Sequence, residues 1–227
     1  MDPDLSALDA FLDERGHDGY LVHADSEDST QYYLSGFDAP DPFVTLYDGE
    51  VRLLFHRSLE FGRAKRESRG ATVERSIDYG YGEYAEEYGA HEAQYRVLAD
   101  FLAEYGVDSV AVPPRFPLHV ADGIRDQEVA VTPDREDVVG AIRATKTAAE
   151  IEHVREAQKA NEAAMGAAED LIAGAEVREG SLYQEGEPLT SEAVKTEIEV
   201  TLLRHGCALD ETIVACGADA ADPHERG

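Results

Sequence analysis

The chain has 227 residues, enough for one large domain or two small ones. Hydrophobic residues make up 43% of the sequence, which is ordinary for a globular protein and disfavours the disordered class. Asp and Glu number 48 against 20 Lys and Arg, so the formal net charge is −28. Nucleic-acid binding is disfavoured as well, because the sequence offers no basic stripe to replace phosphate counterions.

The acidic residues are spread along the whole chain, and lysine is scarce. One explanation is an interaction surface for a basic partner. The other is solubility in concentrated salt, where charges are screened over a few ångströms and self-repulsion costs little. The uniform spread and the scarcity of lysine favour the second explanation. We therefore expect a halophilic protein from a high-salt cytosol.

The cysteines and the N-terminus also bear on the compartment. Cys207 and Cys216 have the spacing of neither a zinc site nor a redox motif, so we expect small buried residues in a reducing compartment. The opening "MDPDLSALDA" lacks the basic region and the apolar run of a targeting signal. No segment approaches ~18 consecutive apolar residues. These features predict a soluble, cytoplasmic protein.

The first part of the chain alternates between helical and strand patterns. Apolar residues recur on one helical face within residues 3–15, and Gly16 is placed to end that helix. The strand "GYLVH", the turn or helical segment "STQYYLSGF" and the hairpin "PFVTLYDGEVRLLF" follow, the hairpin turning at Asp48-Gly49. Then come a helix over 57–69, the strand "ATVERSI", a helix over 90–105, the strand "VDSVAV", a helix in "RFPLHVADGIRD" and the strand "QEVAV". This order predicts an α/β domain over residues 1–135, with a mixed sheet flanked by helices.

One segment in this part has an unusual composition. Residues 78–89, "DYGYGEYAEEYG", are rich in Tyr, Gly and Glu. An aromatic and acidic loop of this kind could bind a cation or a partner. An edge loop that packs its rings and solvates its acids is the more ordinary arrangement, and we predict that one.

The second part of the chain has a different pattern. Residues 133–145 resemble a linker or a strap, after which Thr147 and Glu150 form a capping box that starts a long helix. The polar loop "EVREGSLYQEGEP", the helix "TSEAVKTEIEVTLLRHG", the strand "ETIVACG" and a final loop follow. One strand cannot cover two amphipathic helices. We therefore expect residues 136–227 to be an incomplete domain, completed by further residues or by another chain.

Two segments of this second part resemble a known superfamily. "RATKTAAEIEHVREA" is similar to the entry of the pita-bread catalytic domain, and "TIVACGADAADPH" resembles its first strand, Gly-Asn/Asp-Ala turn and Pro-His. The order of helix, strand, "YYLSGF" and hairpin resembles the creatinase-type N-terminal domain of Xaa-Pro aminopeptidases, prolidases and creatinases. The resemblance covers essentially the whole chain. It implies a creatinase-like α/β domain followed by the incomplete start of an α+β pita-bread domain.

The resemblance also implies a chemistry. It points to the N-terminal portion of a metal-dependent Xaa-Pro aminopeptidase or dipeptidase, which hydrolyses the peptide bond before proline. In such hydrolases two divalent ions (manganese, cobalt or zinc) are held by two Asp, one His and two Glu beyond the Pro-His loop, and they activate a bridging water. None of these ligands maps onto this sequence, so we assign no metal-binding or cofactor-binding residue here. We expect this chain alone to be inactive.

The site residue that does map is His224. The resemblance implies that its imidazole lies on the substrate side and hydrogen-bonds the bound peptide or the developing oxyanion. Cys216 stands where the family usually has Ser, and "HERG" departs from the family after the Pro-His, which leaves the fine shape of the substrate pocket open. The other histidines show no ligand spacing, and we expect them to be scattered: His17, His23, His56, His91, His119, His153 and His205.

The resemblance leaves three functions open. The first is the peptidase, acting on a proline-containing peptide or dipeptide as a homodimer whose N-terminal domain narrows access to the active site. The second is a creatinase-like hydrolase without metal, in which the same Pro-His supplies a general base. The third is a non-catalytic relative that serves in dimerisation or binding.

Overall fold

The computed structural model describes residues 3–57, 59–209 and 211–221. Its tertiary contacts divide the chain into two units, Met1–Thr145 and Lys146–Gly227. The division falls ten residues after the boundary that the sequence predicts, at the end of the predicted linker. Whether the two family domains meet at residue 135 stays a prediction.

The first unit alternates helices and strands, as the sequence pattern predicts. Its strands are β1 (Gly19–Ala24), β2 (Phe43–Tyr47), β3 (Val51–Phe55), β4 (Thr72–Arg75), β5 (Ser109–Val112) and β6 (Ala130–Pro133). Its helices are α1 (Ser6–Arg15), α2 (Ser29–Ser35), α3 (Phe61–Glu67), α4 (Tyr81–Tyr88), α5 (Ala90–Glu104), α6 (Leu118–Arg125) and α7 (Val138–Ala144).

The six strands form one mixed sheet in the order β4-β3-β2-β1-β5-β6. Only β2 runs against its neighbours, because the β2–β3 hairpin reverses the chain at Asp48-Gly49, where Gly49 adopts a φ of 98°. The pairs β1–β5, β3–β4 and β5–β6 are parallel. The predicted mixed sheet flanked by helices is therefore confirmed.

Side chains of β1 alternate between two buried faces. Tyr20 and Val22 pack among residues of α1, α2 and α7. Leu21, which is fully buried, packs on the opposite face among residues of α5 and α6. Burial of a leucine side chain stabilises the fold by about 1.5–3 kcal/mol, so both faces contribute to the stability of this unit.

The second unit contains two helices and a small sheet. Its elements are α8 (Ala148–Ala173), β7 (Glu176–Arg178), β8 (Ser181–Gln184), β9 (Glu187–Pro188) and α9 (Ser191–Arg204). The capping box at the start of α8 is confirmed: Glu150 N–H donates to Thr147 Oγ1 over 3.3 Å, and Thr147 N–H donates to Glu150 Oε2 over 2.8 Å. Small residues of α8, Ala160 and Ala164, allow close packing of Leu202 from α9.

Two segments predicted as loops are ordered elements. Residues 78–89 were expected to be an edge loop, but they form the end of a 3₁₀ turn (Ser76–Tyr79) and α4. Tyr79 and Tyr84 pack against the core beside α5. The helix forms because these tertiary contacts outweigh the weak helix propensity of the segment. Residues 133–145, expected to be a linker or strap, include α7, whose Val139 is fully buried.

The small sheet also differs from the sequence prediction. The segment expected to be a polar loop forms the antiparallel strands β7, β8 and β9. Its two turns are Glu179-Gly180 and Glu185-Gly186, and all four residues have positive φ, as a two-residue hairpin turn of the primed kind requires.

The strand predicted at "ETIVACG" does not form. Residues 211–216 have no regular secondary structure. A strand needs a neighbour to pair its backbone groups, and no described strand lies beside this segment. The prediction of a strand here, taken over the described residues, is therefore wrong.

Candidate functional site: a histidine-lined cavity at the edge of the sheet

The site residue predicted from the sequence, His224, lies outside the described residues. Its role stays a prediction. The two cysteines carry free thiols, with Cys216 exposed and Cys207 half-buried. Within the described parts of the chain, no group of three or more His, Cys, Asp or Glu side chains is arranged to hold a metal ion.

The structure brings a different set of residues together in the first unit. A cavity of about 280 Å³ opens at the carboxyl edge of the sheet. β1 and β3 run parallel on either side of β2, so the ends of these two strands lie at the same edge. The residues that shape the cavity include His23, Phe55, His56, Arg57, Glu60 and Gln94.

Two histidines form one wall of this cavity, hereafter the histidine cavity. The rings of His23 and His56 meet edge to face, with 5.6 Å between their centroids and an interplanar angle of 67°. His56 Nδ1 lies 2.8 Å from the hydroxyl of the buried Ser76, which fixes the orientation of that ring. His23 Nδ1 is buried and has no hydrogen-bond partner among the described residues.

The environment keeps both imidazoles neutral. Burial, with smaller contributions from His56 and His119, lowers the pKa of His23 from 6.5 to about 4. Burial likewise lowers the pKa of His56. A neutral imidazole offers one donor and one acceptor nitrogen, so the pair can orient a polar ligand by hydrogen bonding without contributing charge.

The rest of the cavity combines apolar and charged groups. Phe55 stacks on Phe43, with 4.9 Å between ring centroids, and gives the cavity an apolar wall. At the exposed rim, Arg57 Nη1 lies 3.9 Å from Asp41 Oδ2. An apolar wall with a few polar groups is typical of small-molecule sites.

The spacing of the histidines in the sequence does not predict that His23 and His56 are neighbours. His23 and His56 were both expected to be scattered histidines, but the sheet order makes them neighbours. Two other described histidines make polar contacts but do not line this cavity: His17 Nδ1 is 2.9 Å from Ser109 Oγ, and His119 Nδ1 is 3.2 Å from Tyr95 Oη. A signal was present, since His23 ends one predicted strand and His56 directly follows another, but it required knowledge of which strands are parallel neighbours.

A search of the described residues for a helix long and apolar enough to cross a membrane found none.

The mixed sheet, the order of its strands and the helices on both faces define an α/β domain of a known type. The family model described as "Creatinase/Prolidase N-terminal domain" matches residues 5–156. This chain therefore belongs to the creatinase/prolidase N-terminal domain family, as the sequence resemblance implied.

Solved structures of proline peptidases have a similar fold. The prolidase from Pyrococcus furiosus matches 98% of this chain with a TM-score of 0.68 and 20% identity. The X-Pro aminopeptidase from Thermotoga maritima matches 94% with a TM-score of 0.63 and 20% identity, and the dipeptidase PepE from Mycobacterium ulcerans 98% with 0.64 and 19%. At these identities the likeness is one of fold.

The match extends over only part of each relative. This chain spans 60% of the Pyrococcus furiosus prolidase, 55% of the Thermotoga maritima aminopeptidase and 54% of the Mycobacterium ulcerans dipeptidase. A search of curated proteins found no match.

Proposed function

We propose that this chain is the N-terminal portion of a metal-dependent Xaa-Pro aminopeptidase or dipeptidase, which hydrolyses the peptide bond before proline. The observation that carries the proposal is the family match over residues 5–156. A further support is the fold likeness to a prolidase over 98% of the chain, which includes the second unit as well as the first.

By resemblance, the proposed peptidase holds its metal ions with residues other than those the structure describes. Two divalent ions need several carboxylate and imidazole ligands at close range, and the described residues include no group of three that fits. By resemblance, the ligands of these ions map onto no residue of this chain, and we propose that the 227-residue chain alone does not hydrolyse peptides.

The first unit would then serve the peptidase indirectly. By resemblance to the family, it contributes to a cytoplasmic homodimer and limits the length of peptide that reaches the active site. His224 would hydrogen-bond the bound peptide or the developing oxyanion from the substrate side. Sedimentation equilibrium of the complete protein tests the dimer, which requires twice the mass of one chain.

Hydrolysis of an Ala-Pro peptide by the complete protein tests the activity. We expect turnover with added manganese or cobalt and its loss on chelation. Turnover that survives chelation would favour the creatinase-like hydrolase without metal. No turnover under either condition would leave the non-catalytic relative, and the peptidase proposal would be wrong. Hydrolysis by the 227-residue chain itself would contradict its predicted inactivity.

A further inference from the structure

The connections that leave two neighbouring strands diverge at the carboxyl edge of the sheet. β1 and β5 are parallel neighbours, with Gly19 opposite Val110. The chain leaves β1 for α2, which packs on the same face as α1 and α7, whereas it leaves β5 for α6, which packs on the opposite face. Open α/β sheets bind ligands in the crevice outside the carboxyl ends of strands whose connections diverge in this way. The topology therefore predicts a ligand crevice between the ends of β1 and β5.

A cavity of about 300 Å³ lies in that position, hereafter the crevice cavity. Both connections and α7 contribute to its lining, which includes Asp28, Ser29, Arg115, Asp137 and Arg143. It shares no lining residue with the histidine cavity. All of its lining residues belong to the first unit.

Two opposite charges line this cavity without pairing. Within the described parts of the chain, the Arg115 guanidinium makes no hydrogen bond and no ion pair. The Asp137 carboxylate likewise has no partner among the described residues, although Asp137 stands at the N-cap of α7. Since an ion pair would require a separation of 4.0 Å or less, the two groups lie too far apart to neutralise one another directly.

The other two charged groups of the lining, Asp28 and Arg143, are hydrogen-bonded within the fold. Arg143 Nη1 donates to Ser29 Oγ over 2.7 Å, which holds this second guanidinium at the cavity wall. Asp28 accepts from the amides of Thr30 and Gln31 over 2.9 and 3.0 Å, so its carboxylate caps α2. Arg115 and Asp137 are therefore the charged groups of the lining that remain for a ligand.

The geometry points to a binding site for a small zwitterion of the α-amino-acid class. Its carboxylate accepts hydrogen bonds from Arg115, whose guanidinium group presents several donors suited to a carboxylate. Its ammonium group donates to Asp137. A cavity of this size accommodates such a molecule. The inference concerns a site other than that of the proposed peptidase, and it stands or falls independently of peptide hydrolysis.

Calorimetric titration of the 227-residue chain tests this site, with three probes at constant ionic strength: glycine, acetate and methylammonium. Glycine carries both charges, and each of the other two carries one. We expect saturable binding of glycine, about tenfold or more tighter than binding of either other probe, because each of those forgoes one charge-assisted interaction.

Two variants test the assigned residues. Asp137→Asn and Arg115→Gln should each weaken glycine binding by about tenfold or more. Both side chains are exposed and lack described partners, so we expect the variants to fold, which thermal unfolding checks. Asn tolerates the positive φ of 52° at position 137. Arg66→Gln removes the same charge from an exposed position of α3 and should leave glycine binding unchanged.

Absence of saturable glycine binding would overturn the inference. So would equal binding of glycine and acetate, because a site for carboxylates alone does not need Asp137. If Arg66→Gln lost as much affinity for glycine as Arg115→Gln, the loss would come from the change in net charge and not from the site. That result would overturn the inference as well.

Discussion

The ring of His23 meets the ring of His56 edge to face, at a centroid distance of 5.6 Å. β1 and β3 carry these residues to the same edge of the sheet because they run parallel on either side of β2. Burial keeps both rings neutral by lowering the pKa of each. This pair gives the first unit a pH dependence that can be measured.

Stability should fall as the pH falls from about 6.5 to about 4, partly because of His23. In that window the unfolded chain binds a proton at His23 and the folded chain does not, so acid favours unfolding. Above pH 6.5 the ring is neutral in both states and contributes no slope. The contribution is at most about 3 kcal/mol.

The variant His23→Phe isolates this contribution, because phenylalanine keeps a ring and cannot titrate. Urea unfolding at pH 7 and at pH 4.5 should show a smaller loss of stability in the variant than in the parent. His153→Gln, at an exposed position of α8, should lose as much as the parent. Equal losses in parent and His23→Phe would contradict the assignment.

A methyl group at position 123 should destabilise the first unit. A Cβ atom built on Gly123 would overlap the ring of Tyr95, which lies across α6 at that point. We expect Gly123→Ala to cost about 1–3 kcal/mol of unfolding free energy, measured by urea denaturation. Gly166→Ala is the matched control, because a Cβ atom there meets nothing within 4 Å and alanine favours the helix by about 1 kcal/mol. Similar effects of the two changes would show that Tyr95 moves aside at little cost.

Removal of the helix cap at Thr147 should destabilise α8. Thr147→Ala deletes the hydroxyl that accepts from Glu150 N–H, and we expect a loss of about 1 kcal/mol in thermal or urea unfolding. Thr147→Ser keeps the hydroxyl and should stay near the parent. If serine proved as costly as alanine, the methyl group rather than the cap would be responsible.

Low salt should destabilise the whole chain. The net charge of −28 repels itself more strongly when screening is weak, so the melting temperature should rise from dilute buffer to multimolar potassium chloride. Equal melting temperatures in the two solutions would argue against a halophilic protein. Urea unfolding with sodium sulfate in place of potassium chloride would separate screening from salting-out, since sulfate also strengthens apolar burial.

Short-range patterns in the sequence determined much of the local structure of this protein. The apolar face of α1, the Asp48-Gly49 turn of the β2–β3 hairpin and the Thr147–Glu150 cap each lie within a few consecutive residues, and each forms as expected. Such features depend on local backbone preferences and hydrogen bonds, which the sequence displays directly. The family resemblance rested on the order of these same segments.

Tertiary structure decided the rest, because long-range packing depends on which elements become neighbours. α4 forms where Tyr79 and Tyr84 find a core to pack against, and residues 211–216 form no strand where no described partner strand is present. His23 and His56 face one another only because the sheet places β2 between their strands. Likewise, Arg115 and Asp137 line one cavity because β5 lies between β1 and β6. The order of the strands depends on how all the helices and strands pack together. No single segment of the sequence therefore predicts it.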